Sequence, residues 1–147
     1  MARRRDPTEF IETFIALARC LRGVAAQAYA TAELGSTQAK FLRVIGRQSP
    51  ISQAELARET ATDPTLAGRV LQNLIERGLV RRERSAEDRR EYVLELGPDG
   101  QRARGRVEKL SAQLAARVVA VLDERDLDDF ERVARKILAA FDPPGEA

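Results

Sequence analysis

The sequence predicts a mainly α protein with one small two-stranded β element. Three observations predict it. Two short helical stretches separated by a tight turn lie between Ser52 and Arg77. A basic hairpin follows as far as Leu96, and long amphipathic helical patterns flank this segment on both sides. At 147 residues the chain is the size of one domain with a sizeable core.

Asp6-Pro7-Thr8-Glu9 opens the first helix, with Asp as N-cap, Pro at the first helical position and Glu two residues further on. From about Pro7 to about Thr31, Phe10, Phe14, Leu17, Leu21, Val24 and Ala28 form an apolar stripe that Ile11, Ala18 and Ala25 widen. Ser36 is expected to cap a second helix carrying Ala39, Phe41, Leu42, Val44 and Ile45. That helix should end near Gly46, before a turn at Ser49-Pro50. Ser52-Gln53-Ala54-Glu55 has the spacing of a capping box, and Leu56 and Ala57 supply a short apolar face. Glu59-Thr60-Ala61-Thr62 reads as a turn. Asp63-Pro64 restarts a helix, on which Leu66, Val70, Leu71, Leu74 and Ile75 share one face and Thr65, Gly68, Arg69, Gln72 and Asn73 the other. Gly78 supplies a left-handed stop.

Val80-Arg81-Arg82-Glu83-Arg84 is a β-capable run. Glu91 to Leu96 is a second, with Tyr92, Leu94 and Leu96 on one face at period two, and the polar Ser85–Arg90 stretch makes the tip between them. Helix, turn, helix, basic hairpin is the layout of a winged helix-turn-helix. Gly97-Pro98-Asp99-Gly100 then precedes a long helix with Val107, Leu110, Leu114, Val118, Val121 and Leu122. Continued to about Glu124, it would span on the order of 40 Å. Asp126-Leu127-Asp128-Asp129 is expected to open a last helix carrying Phe130, Val133, Ile137, Leu138 and Phe141, before a Pro143-Pro144-Gly145 tail expected to be mobile.

Composition narrows the function classes. Hydrophobic residues are 44% and charged residues 33% of the chain, and no apolar run approaches the roughly 20 residues of a membrane span. The first residues lack the apolar core of a signal peptide, so a cytoplasmic, nucleoid-associated protein without a membrane partner is expected. With no histidine and one cysteine, a His-containing triad, a His metal site, a thiolate zinc site and an internal disulfide are all excluded. No glycine-rich phosphate loop occurs, and no enzymatic activity, metal or cofactor is expected. The net charge is only +2, but Arg77, Arg81, Arg82, Arg84, Arg89 and Arg90 gather around the hairpin while acidic residues crowd the C-terminal segment. Such a local basic patch suits a nucleic-acid footprint.

Leu74-Ile75-Glu76-Arg77-Gly78-Leu79-Val80-Arg81-Arg82 resembles the L-E-x-x-G-L-V-x-R segment that closes the recognition helix in MarR-family transcriptional regulators, with Ile75 where that pattern has Glu. Asp88-Arg89-Arg90 followed by Tyr92-Val93-Leu94-Glu95-Leu96 resembles the family's D-x-R wing signature and return strand. The resemblance is sharpest over residues 52–100. It implies a single domain over 1–147, with a winged-helix lobe at 36–97 and with 7–34 and 98–142 as dimerisation helices. It also implies a homodimer bound to a pseudo-palindromic operator in double-stranded DNA. A repressor of this kind is released by a small ligand, often a phenolic or lipophilic anion.

On this reading Thr65, Gly68, Arg69 and Gln72 face the major groove. Arg can pair with guanine, Gln with adenine, and Thr can meet a thymine methyl. Arg69 falls where the family places a recognition arginine, whereas Gly68 replaces the family's usual polar residue. Arg84, Arg89 and Arg90 line the wing, where a narrow minor groove attracts arginine, and Asp88 is expected to orient a wing arginine. Ser52 and Gln53 are candidates for phosphate binding through backbone amides, a role compatible with capping by Ser52. Arg19, Arg22, Tyr29 and Arg43 could border an effector cleft. Two other readings stay open. Cys20, flanked by Arg19 and Arg22, could sense peroxide, although the second helix has Phe41 where the redox branch resembles a tyrosine-supported pattern. A winged helix can also serve only as a protein-interaction module.

Overall fold

The computed structural model describes residues 6–141, so the N-terminal start and the Pro143-Pro144-Gly145 tail lie outside the described residues. The elements in chain order are α1 (Pro7–Ala30), α2 (Ser36–Gln48), α3 (Gln53–Glu59), α4 (Pro64–Glu76), β1 (Val80–Arg84), β2 (Tyr92–Leu96), α5 (Pro98–Val119) and α6 (Glu124–Phe141). The chain divides into two compact units, 1–111 and 112–147, with the boundary inside α5.

The first unit is built around α2. Phe41, Leu42 and Ile45 are fully buried, together with Leu56 of α3, Leu71 and Leu74 of α4, Val80 and Leu94 of the strands, and Ala103 and Val107 of α5. The strands pair antiparallel from Val80↔Leu96 to Arg84↔Tyr92, and Ile51 adds one antiparallel bridge to Leu94. The hairpin thus closes over the ends of α2 and α3. Expectation and structure differ where 98–142 was assigned to dimerisation. Gly100, Ala103 and Val107 are buried, so the first turns of α5 belong to the lobe's own core.

Several local expectations are corrected. Gly35, not Ser36, is the N-cap of α2, because Gln38 Oε1 takes the Gly35 N–H at 2.8 Å and lets the helix begin one residue earlier. That helix continues through Gly46 to Gln48, with no left-handed turn at Gly46, and the Arg104 side chain of α5 lies across the space a Cβ of Gly46 would fill. On α4 the core position belongs to Ala67, while Leu66 is 41% exposed. On β2, Leu94 and Leu96 are buried but Tyr92 is not, because it lies beyond the core near the hairpin tip.

In the second unit, α5 stops at Val119 and α6 begins at Glu124 rather than Asp126. The cause is a reciprocal cap: Asp126 N–H donates to Asp123 Oδ1 at 2.8 Å, and Asp123 N–H donates to Asp126 Oδ2 at 3.0 Å. No residue of α6 is buried, and Phe130, Leu138 and Phe141 stand exposed. The N-terminal half of α1 is likewise bare, with Phe10, Ile11, Phe14, Ile15 and Leu17 each about half exposed.

One close approach sets where α5 enters the first unit. A Cβ on Gly100 would lie 1.9 Å from the Leu79 carbonyl oxygen, a backbone atom that cannot step aside. Gly100→Ala should therefore destabilise the protein by about 1–3 kcal/mol, measured by urea denaturation, as overpacking at a buried site does. Gly46→Ala meets only the flexible Arg104 side chain and should cost less.

Candidate nucleic-acid interface

The reading head is assembled from capped short helices. Ser52 Oγ accepts the Glu55 N–H at 3.1 Å, and Glu55 Oε2 accepts the Ser52 N–H at 3.0 Å, which closes the first turn of α3. Asp63 Oδ2 accepts the N–H groups of Thr65 at 3.0 Å and Leu66 at 3.1 Å, fixing the start of α4. Between the helices Thr60 is buried, its Oγ1 donating to the Leu56 carbonyl at 2.6 Å, while Ala61 turns the chain at φ 47°. Lys40 Nζ reaches the Thr60 carbonyl at 3.3 Å and ties this turn to α2. Gly78, at φ +73°, ends the stretch after α4.

On α4, Thr65, Arg69 and Gln72 are exposed, and Gln72 Nε2 donates to Glu76 Oε1 at 3.2 Å. Gly68 faces α3, where its missing Cβ would sit 3.4 Å from Gln53 Nε2. Gln53 is held from the other side, since Arg82 Nη2 donates to its Oε1 at 3.3 Å. Gln53, Gly68 and Arg82 thus join α3, α4 and the wing. From the sequence Arg82 stands only within the basic patch and not among the expected contact residues. Its place two residues after Val80, on the strand face that returns to the core, was the signal available. An open cavity of about 450 Å³ lies between the N-terminus of α2 and α4, lined by Ser36, Thr37, Gln38, Arg69 and Asn73 among others. Gln38 Nε2 donates to Asn73 Oδ1 across it at 2.6 Å.

The wing tip is tied by its own backbone. Ser85 N–H donates to the Glu91 carbonyl at 2.9 Å, and Ser85 Oγ accepts from Glu87 and Asp88 N–H at 3.2 and 3.3 Å. Asp88 Oδ1 accepts the Arg90 backbone N–H at 2.9 Å, so Asp88 acts on the chain of Arg90 and not on its guanidinium. Arg84 Nη1 donates to the Arg89 carbonyl at 2.5 Å, and its guanidinium carbon lies 5.0 Å from the Tyr92 ring centroid. Arg89 and Arg90 are exposed.

Among the described residues, those considered for an effector cleft take partners on α5 or lie exposed on α1. Tyr29 OH lies 2.8 Å from Ser111 Oγ, and Arg43 Nε donates to Glu108 Oε1 at 3.3 Å, both on α5. Arg104 Nη1 donates to the Gly46 carbonyl at 3.2 Å in the same seam. Arg19, Cys20 and Arg22 are exposed on α1.

Short capped helices at a tight turn, followed by a hairpin, define a winged helix-turn-helix protein. Residues 33–91 match the MarR family model. It is 37% identical over 69 residues to a Thauera aromatica protein named as a transcriptional regulatory protein for the hcr operon. That match spans 47% of this chain and 42% of the relative's length. MarR from Staphylococcus aureus, solved in complex with salicylate and kanamycin, is similar at TM-score 0.80 and 25% identity, over 91% of both chains. A mutant MarR from E. coli complexed with operator DNA has the same fold at TM-score 0.78 and 19% identity, over 91% of this chain and 99% of that one.

The Asp63 cap carries the first turn of α4. Asp63→Ala should lower stability by about 1 kcal/mol in thermal or urea unfolding, the ordinary cost of losing an N-cap.

Proposed function

We propose that the chain is a dimeric, sequence-specific DNA-binding transcriptional regulator, a cytoplasmic repressor released by a small-molecule ligand. The observation that carries this reading is how the arginines are partnered. On α5 and α6, Arg102 pairs with Asp99, Arg125 and Arg132 with Asp129, and Arg135 with Glu131. Among the described residues, no ion pair is formed by Arg69, Arg77, Arg81, Arg82, Arg84, Arg89 or Arg90. Of the C-terminal acidic residues, Asp129 and Glu131 are paired within α6, and the head's arginines, free of ion pairs, keep their positive charge for an external polyanion. Duplex DNA fits both that charge and the shape, with a helix for the major groove and a tip for the minor groove.

In this reading Thr65, Arg69 and Gln72 face base edges, whereas Gly68, expected at the groove, faces Gln53 of α3 and lets the two helices pack; Ser52 and Gln53 meet phosphate. Arg89 and Arg90 enter the minor groove, with Asp88 and Arg84 beside them. The operator complex of E. coli MarR supports the DNA partner, and the salicylate complex of S. aureus MarR supports an effector. Dimerisation is supported by the exposed apolar residues of α1 and of α6, since apolar faces left in water usually mark interfaces. Two heads one DNA turn apart, about 34 Å, would then read two half-sites. No helix among the described residues is long and apolar enough to cross a membrane.

Binding to a duplex selected from random sequence tests the reading. Arg69→Ala should cost about 1–3 kcal/mol and relax sequence preference, whereas Arg90→Ala should weaken binding across sequences and flatten its salt dependence. Wild-type affinity in both variants, or no salt-dependent duplex binding at all, would favour the protein-interaction reading instead. Sedimentation should give twice the 16.3 kDa chain mass. Phe130→Glu, at an exposed ring of α6, should shift it toward one chain and weaken DNA binding.

A further inference from the structure

We infer that Arg84 is a positioning residue that braces the wing tip, rather than a contact to DNA; this rests on the DNA-binding reading above. Arg84 ends β1 and stands opposite Tyr92, the first residue of β2. Its side chain is occupied twice within the hairpin. The edge of the guanidinium donates to the Arg89 carbonyl at 2.5 Å, and its face lies 5.0 Å from the centroid of the Tyr92 ring. A planar cation can use edge and face together, which an ammonium cannot. The bond to Arg89 is also the one that grips the tip midway. Ser85 holds Glu87, Asp88 and Glu91, and Asp88 holds the backbone of Arg90. The Arg84 bond therefore fixes where Arg89 and Arg90 leave the hairpin, and with it how far these two cations reach.

Tyr92 supports this assignment. It shares a strand face with Leu94 and Leu96, yet it is 47% exposed where they are buried. Burial does not account for an aromatic ring there, whereas a platform for Arg84 does. The brace adds nothing to the charge count of the interface and acts only through the geometry of its neighbours.

The test uses the full chain, a mixed-sequence duplex at rising salt, and backbone amide exchange over residues 86–91 of the free protein. Arg84→Lys keeps the charge but loses the planar fork. Tyr92→Leu keeps every charge and loses the ring, and Tyr92→Phe keeps the ring face. Arg84→Lys and Tyr92→Leu should each lower duplex affinity about fivefold, flatten its salt dependence and speed exchange over 86–91. Tyr92→Phe should behave as wild type. The double variant should fall little further than either single one, because both remove the same brace. Wild-type affinity and salt slope in Arg84→Lys, with Tyr92→Leu neutral and exchange unmoved, would overturn the proposal in favour of a direct phosphate contact. If the wild-type protein bound no duplex at low salt, the DNA-binding reading would fall, and the exchange measurement would still decide the brace.

Discussion

Phe41, Leu42 and Ile45 are fully buried on α2, and α1, α3, α4 and β2 all pack against the helix that carries them. Burying each such side chain is worth about 1.5–3 kcal/mol. The larger consequence is geometric. The helix-turn-helix and the hairpin also touch directly, α4 against β1 and α3 against β2, but all of them share this pivot, so α2 constrains how helix and wing are placed. α5 closes the far side of the pivot through Ala103 and Val107, and Arg104, Glu108 and Ser111 bond to Gly46, Arg43 and Tyr29.

That arrangement separates two jobs along α5. Its first turns belong to the lobe, fixed by Gly100 against Leu79, and its last turns lie in the second unit. Two of the three polar cross-links between α5 and the α1–α2 face occupy Tyr29 and Arg43, the residues expected to border an effector cleft. An anion binding there would have to compete with Ser111 and Glu108 for them.

Charge is organised on the same principle. On α6, Asp129 pairs with Arg125 and Arg132 and Glu131 with Arg135, at spacings of three and four and at little gain in stability for exposed pairs. The value of that pairing is what it leaves alone. The arginines of α4 and the hairpin keep their charge unneutralised, and polar contacts such as Arg82 to Gln53 aim them without cancelling it.

Much of this was legible in the chain. The capping box at Ser52, the Asp63-Pro64 start, the Gly78 stop and the β-runs are local devices, and local physics decides them within a few residues. Positions that depend on distant partners were not. Gly46 reads as a helix end until Arg104, remote in sequence, is laid across it, and Leu66 reads as core until Ala67 is seen to take the place against α2. Arg84 reads as one more wing cation until its edge and face are both found occupied. By itself the sequence determined the kind and order of the elements and where positive charge would gather, because periodicity, caps and charge act over short stretches. Only the tertiary structure decided which apolar faces stay bare and which arginines take partners inside the fold, because both depend on contacts between residues that the chain brings together only on folding.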